Sequence, residues 1–403
     1  MMYRVANDFR PSRRAFLAGS AALLAATAIT PASAASVSSF VDGVWADAKA
    51  RGVSRDIFDA ALGSFRPMPE VMELSQKQPE FKIAPSEYVG KRVTSARIEK
   101  GQSEAAEWSE TLAGVESRWG VQSEAVLAIW GMETNFGGYM GDMNTVHALA
   151  TLVHGGYRAE FFRGELLTAL QILQAGHVSA PNMIGSWAGA MGHTQFMPSS
   201  FMKYAVDYRG EGRKDIWNSV PDALASAANY LKEFGWRPGE TWGYEVKLPQ
   251  GFDYMHAWSD NGASIGWWSD LGVTRASGRP FPRASDQARL FTPMGGNGPT
   301  FLTLTNFSVI KRYNNSDSYA LSVGHLADRI LGGGGFAVAW PDDTKLDEDG
   351  RRDVQTALLA KGYSIGSVDG VLGPKSRAAI IDWQSRAGLL PDGYAGGETA
   401  VAP

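Results

Sequence analysis

The chain has 403 residues, of which 44% are hydrophobic and 20% charged, enough apolar material for a substantial core and for two or three domains. A net charge of −4 without any basic block excludes the electrostatic footprint of a nucleic-acid-binding protein. The absence of cysteine excludes disulfides, thiol nucleophiles, cysteine metal ligands and a lipid-modified N-terminal cysteine.

Residues 1–34 read as an address. Arg13-Arg14-Ala15-Phe16-Leu17 precedes an Ala-rich apolar stretch that ends in Ala32-Ser33-Ala34, a small-residue cleavage pattern. The paired arginines resemble a twin-arginine export signal, which implies a periplasmic, soluble mature protein. No later segment has eighteen consecutive apolar residues, so no stable membrane insertion is expected after cleavage.

Residues 38–235 read mainly as helices. Phe40, Val41, Val44 and Trp45 recur at helical spacing in Ser39–Lys49, and Ser54 is an N-cap before Ile57, Phe58 and Leu62. Pro67, Pro69, Pro79 and Pro85 mark a broken connecting stretch. Helical patterns follow at Glu87–Glu99, Ser103–Trp119, Ser123–Met132, Ala159–Ala175 and Val220–Phe234. Between 236 and 305 Gly, Pro and Trp become dense, and Tyr244–Leu248 alternates as a strand does. Helix is expected again at Asn306–Asn314 and Tyr319–Ile330, stopped by Gly332–Gly335. The acidic, polar stretch 337–350 reads as a linker, and 351–401 as a separate small unit.

Two segments carry chemistry. In Ser123–Gly138, Glu133 falls on the apolar face of Val126, Ile129 and Trp130, and Asn135 with Gly137-Gly138 should stop the helix at once. A carboxylate on a buried face at a helix C-terminus is disfavoured in its charged form by desolvation and by the helix dipole. That is what a general acid near neutral pH requires. The alternative is a structural Glu held by an Arg or by backbone amides. The second segment, Gly185–Ser200, is rich in small residues, which allow either a cleft floor where backbone meets ligand or tight helix packing. No His/Glu cluster has metal-ligand spacing, and no cofactor is expected.

Together these segments resemble the lytic murein transglycosylase B family, glycoside hydrolase family 103. Glu133-Thr134-Asn135-Phe136-Gly137 is similar to its Glu-Thr-x-(Phe/Tyr)-Gly motif, and Gly189-Ala190-Met191-Gly192 with Gln195–Ser200 to its second block. Three more blocks agree in order: Ser86–Val89 with Arg97-Ile98, Asp222-Ala223 with Ala228-Asn229-Tyr230, and Asn306–Ile310 with Arg312-Tyr313-Asn314. The resemblance implies a mainly α fold: a lysozyme-like catalytic core, at 36–336, with a helical domain and a small β-containing region. It also implies cleavage of the β-1,4 bond between N-acetylmuramic acid and N-acetylglucosamine in peptidoglycan glycan strands, with formation of 1,6-anhydro ends. Glu133 takes the catalytic role by that resemblance, and Tyr88, Ser186, Gln195, Tyr230, Asn306 and Tyr313 match substrate-binding positions. A non-catalytic wall-binding scaffold and a hydrolase using water are the competing readings, the latter needing a second carboxylate across the cleft.

Some members of the family carry an EF-hand-type calcium loop. Here Asp207–Asn218 puts Arg209 and Arg213 at ligand positions and Asn218 where a bidentate Glu belongs, so no tight calcium site is expected. Residues 352–399, with Asp369-Gly370, Gly373-Pro374 and Asp392-Gly393, resemble the small three-helix peptidoglycan-binding domain. Leu358, Ile380 and Trp383 are its expected core. Such a module tethers the enzyme to the wall. A monomer is expected.

Overall fold

A computed structural model describes residues 37–76, 83–258, 262–342 and 346–396. The export segment 1–34 therefore lies outside the described residues. Three apolar clusters organise the molecule: a large helical core, a small one inside a sheet, and a third within the C-terminal module.

The N-terminal helices are α1 (Val37–Ala50), α2 (Arg55–Leu62) and α3 (Pro69–Gln76). Ser54 caps α2 as expected, its hydroxyl accepting from the Ile57 N–H at 3.4 Å. The proline-rich stretch is not wholly irregular: Pro69 opens α3, where its missing N–H costs nothing. The single helix expected over Glu87–Glu99 is two, α4 (Pro85–Arg92) and α5 (Ser95–Glu107). Thr94 breaks the run by accepting the Arg97 N–H, so a cap inside the periodic pattern overrode the pattern. Ser103–Trp119 likewise splits at Trp108, leaving α6 (Ser109–Trp119).

α7 (Ser123–Thr134) is the centre of the main core, with nine of its 12 residues buried. A helix apolar on all sides belongs in an interior, and this one has no solvent face. Against it pack α5, α6 and α11 (Val220–Glu233), while α8 (Thr145–His154) and α10 (Pro198–Tyr204) pack on α9 (Ala159–Gln174). A two-stranded antiparallel ribbon of β1 (Met143–Asn144) and β2 (Ile184–Gly185) ties the small-residue segment to the loop after α7.

The region 243–303 holds β3 (Gly243–Lys247), α12 (Met255–Trp258), β4 (Ala263–Ser264), α13 (Ile265–Asp270), β5 (Thr274–Arg275), β6 (Gln287–Phe291) and β7 (Thr300–Thr303). Its sheet is antiparallel in the order β4-β6-β7-β3-β5, over Val246, Trp268, Leu290 and Leu302. The chain then returns to the main core through α14 (Thr305–Tyr313) and α15 (Asp317–Ile330), which packs along α7.

The expected linker begins pinned. Ala337 and Val338 donate their N–H groups to the Glu245 carboxylate at 2.8 and 2.9 Å, and Phe336 stacks on His325 at 4.0 Å. The C-terminal module contains two α-helices among the described residues, α16 (Glu348–Ala360) and α17 (Pro374–Arg386), where the sequence suggested three. Gln355 accepts the N–H groups of Asp369 and Gly370, and Gln384 that of Gly393, so two buried amides replace much of a core. Among the described residues no helix is long and apolar enough to cross a membrane.

Candidate active site

Glu133 sits in the last turn of α7, half-buried. The helix stops there by force. Asn135, Phe136 and Gly137 take φ values of 51°, 58° and 73°, three successive left-handed residues. Two of these are not glycine, a strained arrangement that persists only where its surroundings hold it. The surroundings do so. Arg97 Nε donates to Asn135 Oδ1 at 3.2 Å and Lys100 Nζ to the Asn135 carbonyl at 2.9 Å. The Phe136 ring turns back onto Trp130 and lies so close to Gly131 and Gly101 that a Cβ at Gly131 would approach it to 2.6 Å and one at Gly101 to 3.0 Å. The Gly137 N–H donates to Thr134 Oγ1 at 3.0 Å, and a Cβ on Gly137 would meet the His193 ring at 2.4 Å.

His193 belongs to this brace. Its Nδ1 accepts from Trp130 Nε1 at 3.0 Å, which requires an unprotonated Nδ1, and burial lowers its pKa in the same sense. It is a neutral, structural histidine.

The groups gathered at Glu133 are phenols. Tyr319, in the first turn of α15, donates its hydroxyl to Glu133 Oε1. Tyr313 closes α14 and donates to the Thr194 carbonyl at 2.7 Å. Burial pushes both phenols well above their usual pKa, and the negative charge of Glu133 pushes the same way. Tyr88 also raises the Tyr319 phenol, and Tyr230 the Tyr313 phenol, whose ring lies 4.8 Å from its own. Tyr230 donates to the Arg312 carbonyl at 2.5 Å.

Gln195 and Ser186 stand on the small-residue segment. Gln195 has φ 50°, and its Nε2 donates to the Met140 and Gly192 carbonyls at 3.1 and 2.9 Å. That fixes the amide with its oxygen as the remaining polar atom. Ser186 closes a tight turn: its N–H donates to the Ala190 carbonyl at 2.8 Å, and its hydroxyl accepts the Ala190 N–H at 3.1 Å. The hydroxyl proton is left to donate.

Asn306 departs from the expected placement in the cleft. It is 0% exposed, and its side chain is used up by the backbone of the turn before β3: Oδ1 accepts the Arg237 N–H at 2.8 Å, and Nδ2 donates to the Arg237 and Glu240 carbonyls at 2.9 and 2.6 Å. This is a strut, not a sugar contact. Tyr319 was missed. Its signal was present, since Ser316 is an N-cap three residues ahead and places Tyr319 in a first helical turn.

A transglycosylase SLT domain model matches residues 36–328. The chain belongs to this family. It is a lytic transglycosylase, 32% identical over 294 residues to membrane-bound lytic murein transglycosylase B of Escherichia coli K12, covering 69% of this chain and 79% of the relative. A putative peptidoglycan-binding domain model matches residues 347–402. Among solved structures, SltB3 of Pseudomonas aeruginosa, crystallised with NAG-anhNAM-pentapeptide, is 44% identical with a TM-score of 0.82, covering 89% of this chain and 96% of that one. The E. coli lytic transglycosylase Slt35, solved in complex with calcium, is 30% identical with a TM-score of 0.61, covering 73% of this chain and 92% of its own.

The transglycosylase described here does not fit calcium at Asp207–Asn218. Asp207 spends its carboxylate on the N–H groups of Gly210, Glu211 and Gly212, at 2.8, 3.0 and 2.7 Å, and these hold its pKa below the usual range. Asp215 Oδ1 accepts the Trp217 and Asn218 N–H groups, and its Oδ2 lies 3.2 Å from the Arg213 guanidinium. A fixed internal cation stands where a metal would bind. Among the described residues no group of three His, Cys, Asp or Glu side chains could hold a metal ion.

Proposed function

We propose that Glu133 is both the acid and the base of a reaction that cleaves the β-1,4 bond between N-acetylmuramic acid and N-acetylglucosamine in peptidoglycan. The observation that carries this is one carboxylate at a braced helix end, touched by the Tyr319 hydroxyl and surrounded by phenols. In the first step protonated Glu133 donates its proton to the bridging oxygen as the glycosidic bond breaks, and positive charge develops on the muramoyl ring. In the second, the carboxylate takes the proton of the muramoyl 6-hydroxyl as its oxygen closes on C1. No water enters, and the enzyme ends protonated as it began. Because the nucleophile is part of the substrate, the second carboxylate that most glycosidases need has no task.

Tyr319 orients Glu133 and re-donates to it when it carries charge. Gln195, through its free carbonyl oxygen, and Ser186, through its hydroxyl proton, bind sugar substituents. Tyr88, Tyr230 and Tyr313 shape the apolar wall. Structures of SltB3 with NAG-NAM-pentapeptide and NAG-anhNAM-pentapeptide, matched here at 43 and 44% identity, support this substrate and product.

The test is digestion of purified peptidoglycan by the mature protein and by Glu133→Gln, with mass analysis of the muropeptides. Anhydro-muramoyl ends from the wild type alone are expected. Reducing ends would assign the enzyme to the hydrolases, and no product from either, with wall binding intact, would favour a scaffold.

Export belongs to the same proposal. The enzyme reaches the periplasm through the twin-arginine route, directed by residues 1–34, and works there as a soluble monomer. Replacing Arg13 and Arg14 by lysine should retain the precursor in the cytoplasm.

A further inference from the structure

The C-terminal module does not hang free of the catalytic region. Trp258 Nε1 donates to the Asp392 carbonyl at 2.7 Å, and the Gly296 N–H to Asp392 Oδ2 at 2.8 Å. The module's side chains lie so close to this backbone that a Cβ on Gly295 would come within 2.5 Å of Asp392 Oδ2, and one on Gly296 within 2.8 Å of Leu390 Cδ2. Asp392 is held from its own side by Gln384 Nε2 at 3.0 Å and by the Tyr394 N–H at 2.9 Å, so its charge is fully engaged.

Between the two parts lies a cavity of about 390 Å³. Pro85, Ser316 and Asp317 line one wall, and Arg351, Arg377 and Tyr394 the other. The first wall is the outer rim of the active site: Tyr88 is one turn beyond Pro85 on α4, and Tyr319 follows Ser318 on α15 and bonds Glu133. The second wall is cationic. Arg351 spends Nε and one terminal nitrogen on the Gly370 and Leu346 carbonyls, at 2.7 and 2.8 Å. Arg377 stacks on Trp258 at 4.0 Å and donates one terminal N–H to the Gly393 carbonyl at 2.5 Å, while its Nε is buried without a hydrogen-bond partner. Burial lowers the Arg377 pKa to about 10, opposed by the charges of Asp392 and Tyr394 and reinforced by that of Arg351. The facing acid, Asp317, is already paired with Lys311 at 2.5 Å.

A desolvated guanidinium is stable when a carboxylate or phosphate meets it, and a two-nitrogen fork suits a carboxylate. Among the described residues neither arginine has an ion-pair partner. We propose that Arg377, with Arg351 beside it, binds a carboxylate of the peptide carried by the muramoyl residue, so that the module reads the substrate's peptide at the mouth of the catalytic cleft. This rests on the peptidoglycan substrate of the preceding section. A peptide of four or five residues reaches roughly 13–18 Å when extended, a span suited to a groove that starts at the rim of the active site.

The experiment uses full-length mature chain carrying Glu133→Gln, so that ligand survives, and titrates three probes by calorimetry. These are a disaccharide-pentapeptide, the same compound with its peptide carboxyls converted to carboxamides, and the peptide-free disaccharide, which keeps only the lactyl carboxylate. Amidation should weaken binding by about tenfold or more, the worth of one charge-assisted pair. A further Arg377→Gln change should weaken binding of the free-carboxylate probe by a similar factor and leave the amidated probe unaffected. Equal binding of the free and amidated probes overturns the proposal. So does equal binding of the peptide-free disaccharide, which would assign the arginines to the lactyl group. If Arg377→Gln fails to fold, the comparison of probes on the intact chain still decides. Anhydro products from wild-type digestion together with indifference to amidation would sink this inference and leave the reaction standing. Absence of anhydro products would sink the reaction itself.

Discussion

The turn after α7 and the loop Asp207–Asn218 are built alike and do opposite things with their carboxylates. Both contain several left-handed residues: Asn135, Phe136 and Gly137 in one, Gly210 and Gly212 in the other. Both are held by side chains bonding to backbone. In the loop, backbone N–H groups and the Arg213 guanidinium are aimed at Asp207 and Asp215, which fixes each as a spent anion. In the turn Arg97 and Lys100 hold Asn135, Thr134 holds Gly137, and Trp130 holds His193, while Glu133 accepts from the Tyr319 hydroxyl. Glu133 is left facing phenols. The difference lies in the partners: backbone amides and a guanidinium hold the loop's carboxylates as anions, whereas a phenol donates to Glu133.

The sharpest way to break this contrast is Glu133→Gln. The rate of anhydro product release should fall by about 10²–10⁴, the usual worth of a positioned acid, with the melting temperature unchanged. A comparable loss of folding instead would make Glu133 as structural as Asp215. Next is the brace itself. Gly137→Ala combines a positive φ with a clash against His193 and should cost about 3 kcal/mol in a denaturant melt. Retained stability would mean that the turn relaxes easily.

A fourth carboxylate extends the comparison. Asp328 is buried on α15, its pKa raised to about 6 by desolvation and by Glu124, with one N–H from Trp242 in opposition. A carboxyl pKa raised on folding favours the folded state below the unfolded pKa of 3.8, and that contribution is lost as pH rises through about 6. Asp328→Asn should therefore stabilise the protein by about 2–3 kcal/mol at pH 8, and the gain should vanish below pH 4. Unchanged stability at pH 8 would show that the charged form is already well solvated. Smaller again is Tyr319→Phe, which removes a phenol bonded to Glu133. It should lower kcat by roughly 10–100-fold, one charge-assisted hydrogen bond, with KM little altered. The smallest expected effect is calcium. Millimolar calcium or a chelator should leave the melting temperature where it is, and a calcium-dependent rise would reopen the Asp207 loop as a metal site.

Much of the active site was legible because its signals are local. Glu133 follows Ile129 and Trp130 at helical spacing, and the residues that stop α7 stand next to it in the chain. Tyr88, Tyr230 and Tyr313 do reach the same neighbourhood. Helix boundaries were less legible where a polar residue chose its partner locally, as Thr94 did by capping α5 within a continuous pattern. Asn306 shows the opposite failure. Its position in a matching block said that it mattered but not how, because its partners, Arg237 and Glu240, lie 69 and 66 residues away.

By itself, then, the sequence determined what depends on neighbours in the chain. It marked a carboxylate on a helix end, the glycines of the turn, the arginines of the Asp207–Asn218 loop and the small C-terminal unit with its own core. Only the tertiary structure decided which phenol bonds Glu133, that Asn306 is a strut, and that the module docks against the β-containing region to leave two arginines facing a cavity. The physical reason is the range of the interactions. Propensity, capping and turn preference are set within a few residues. Burial and hydrogen-bond pairing between distant segments are settled only when the segments pack and each polar group must find a partner.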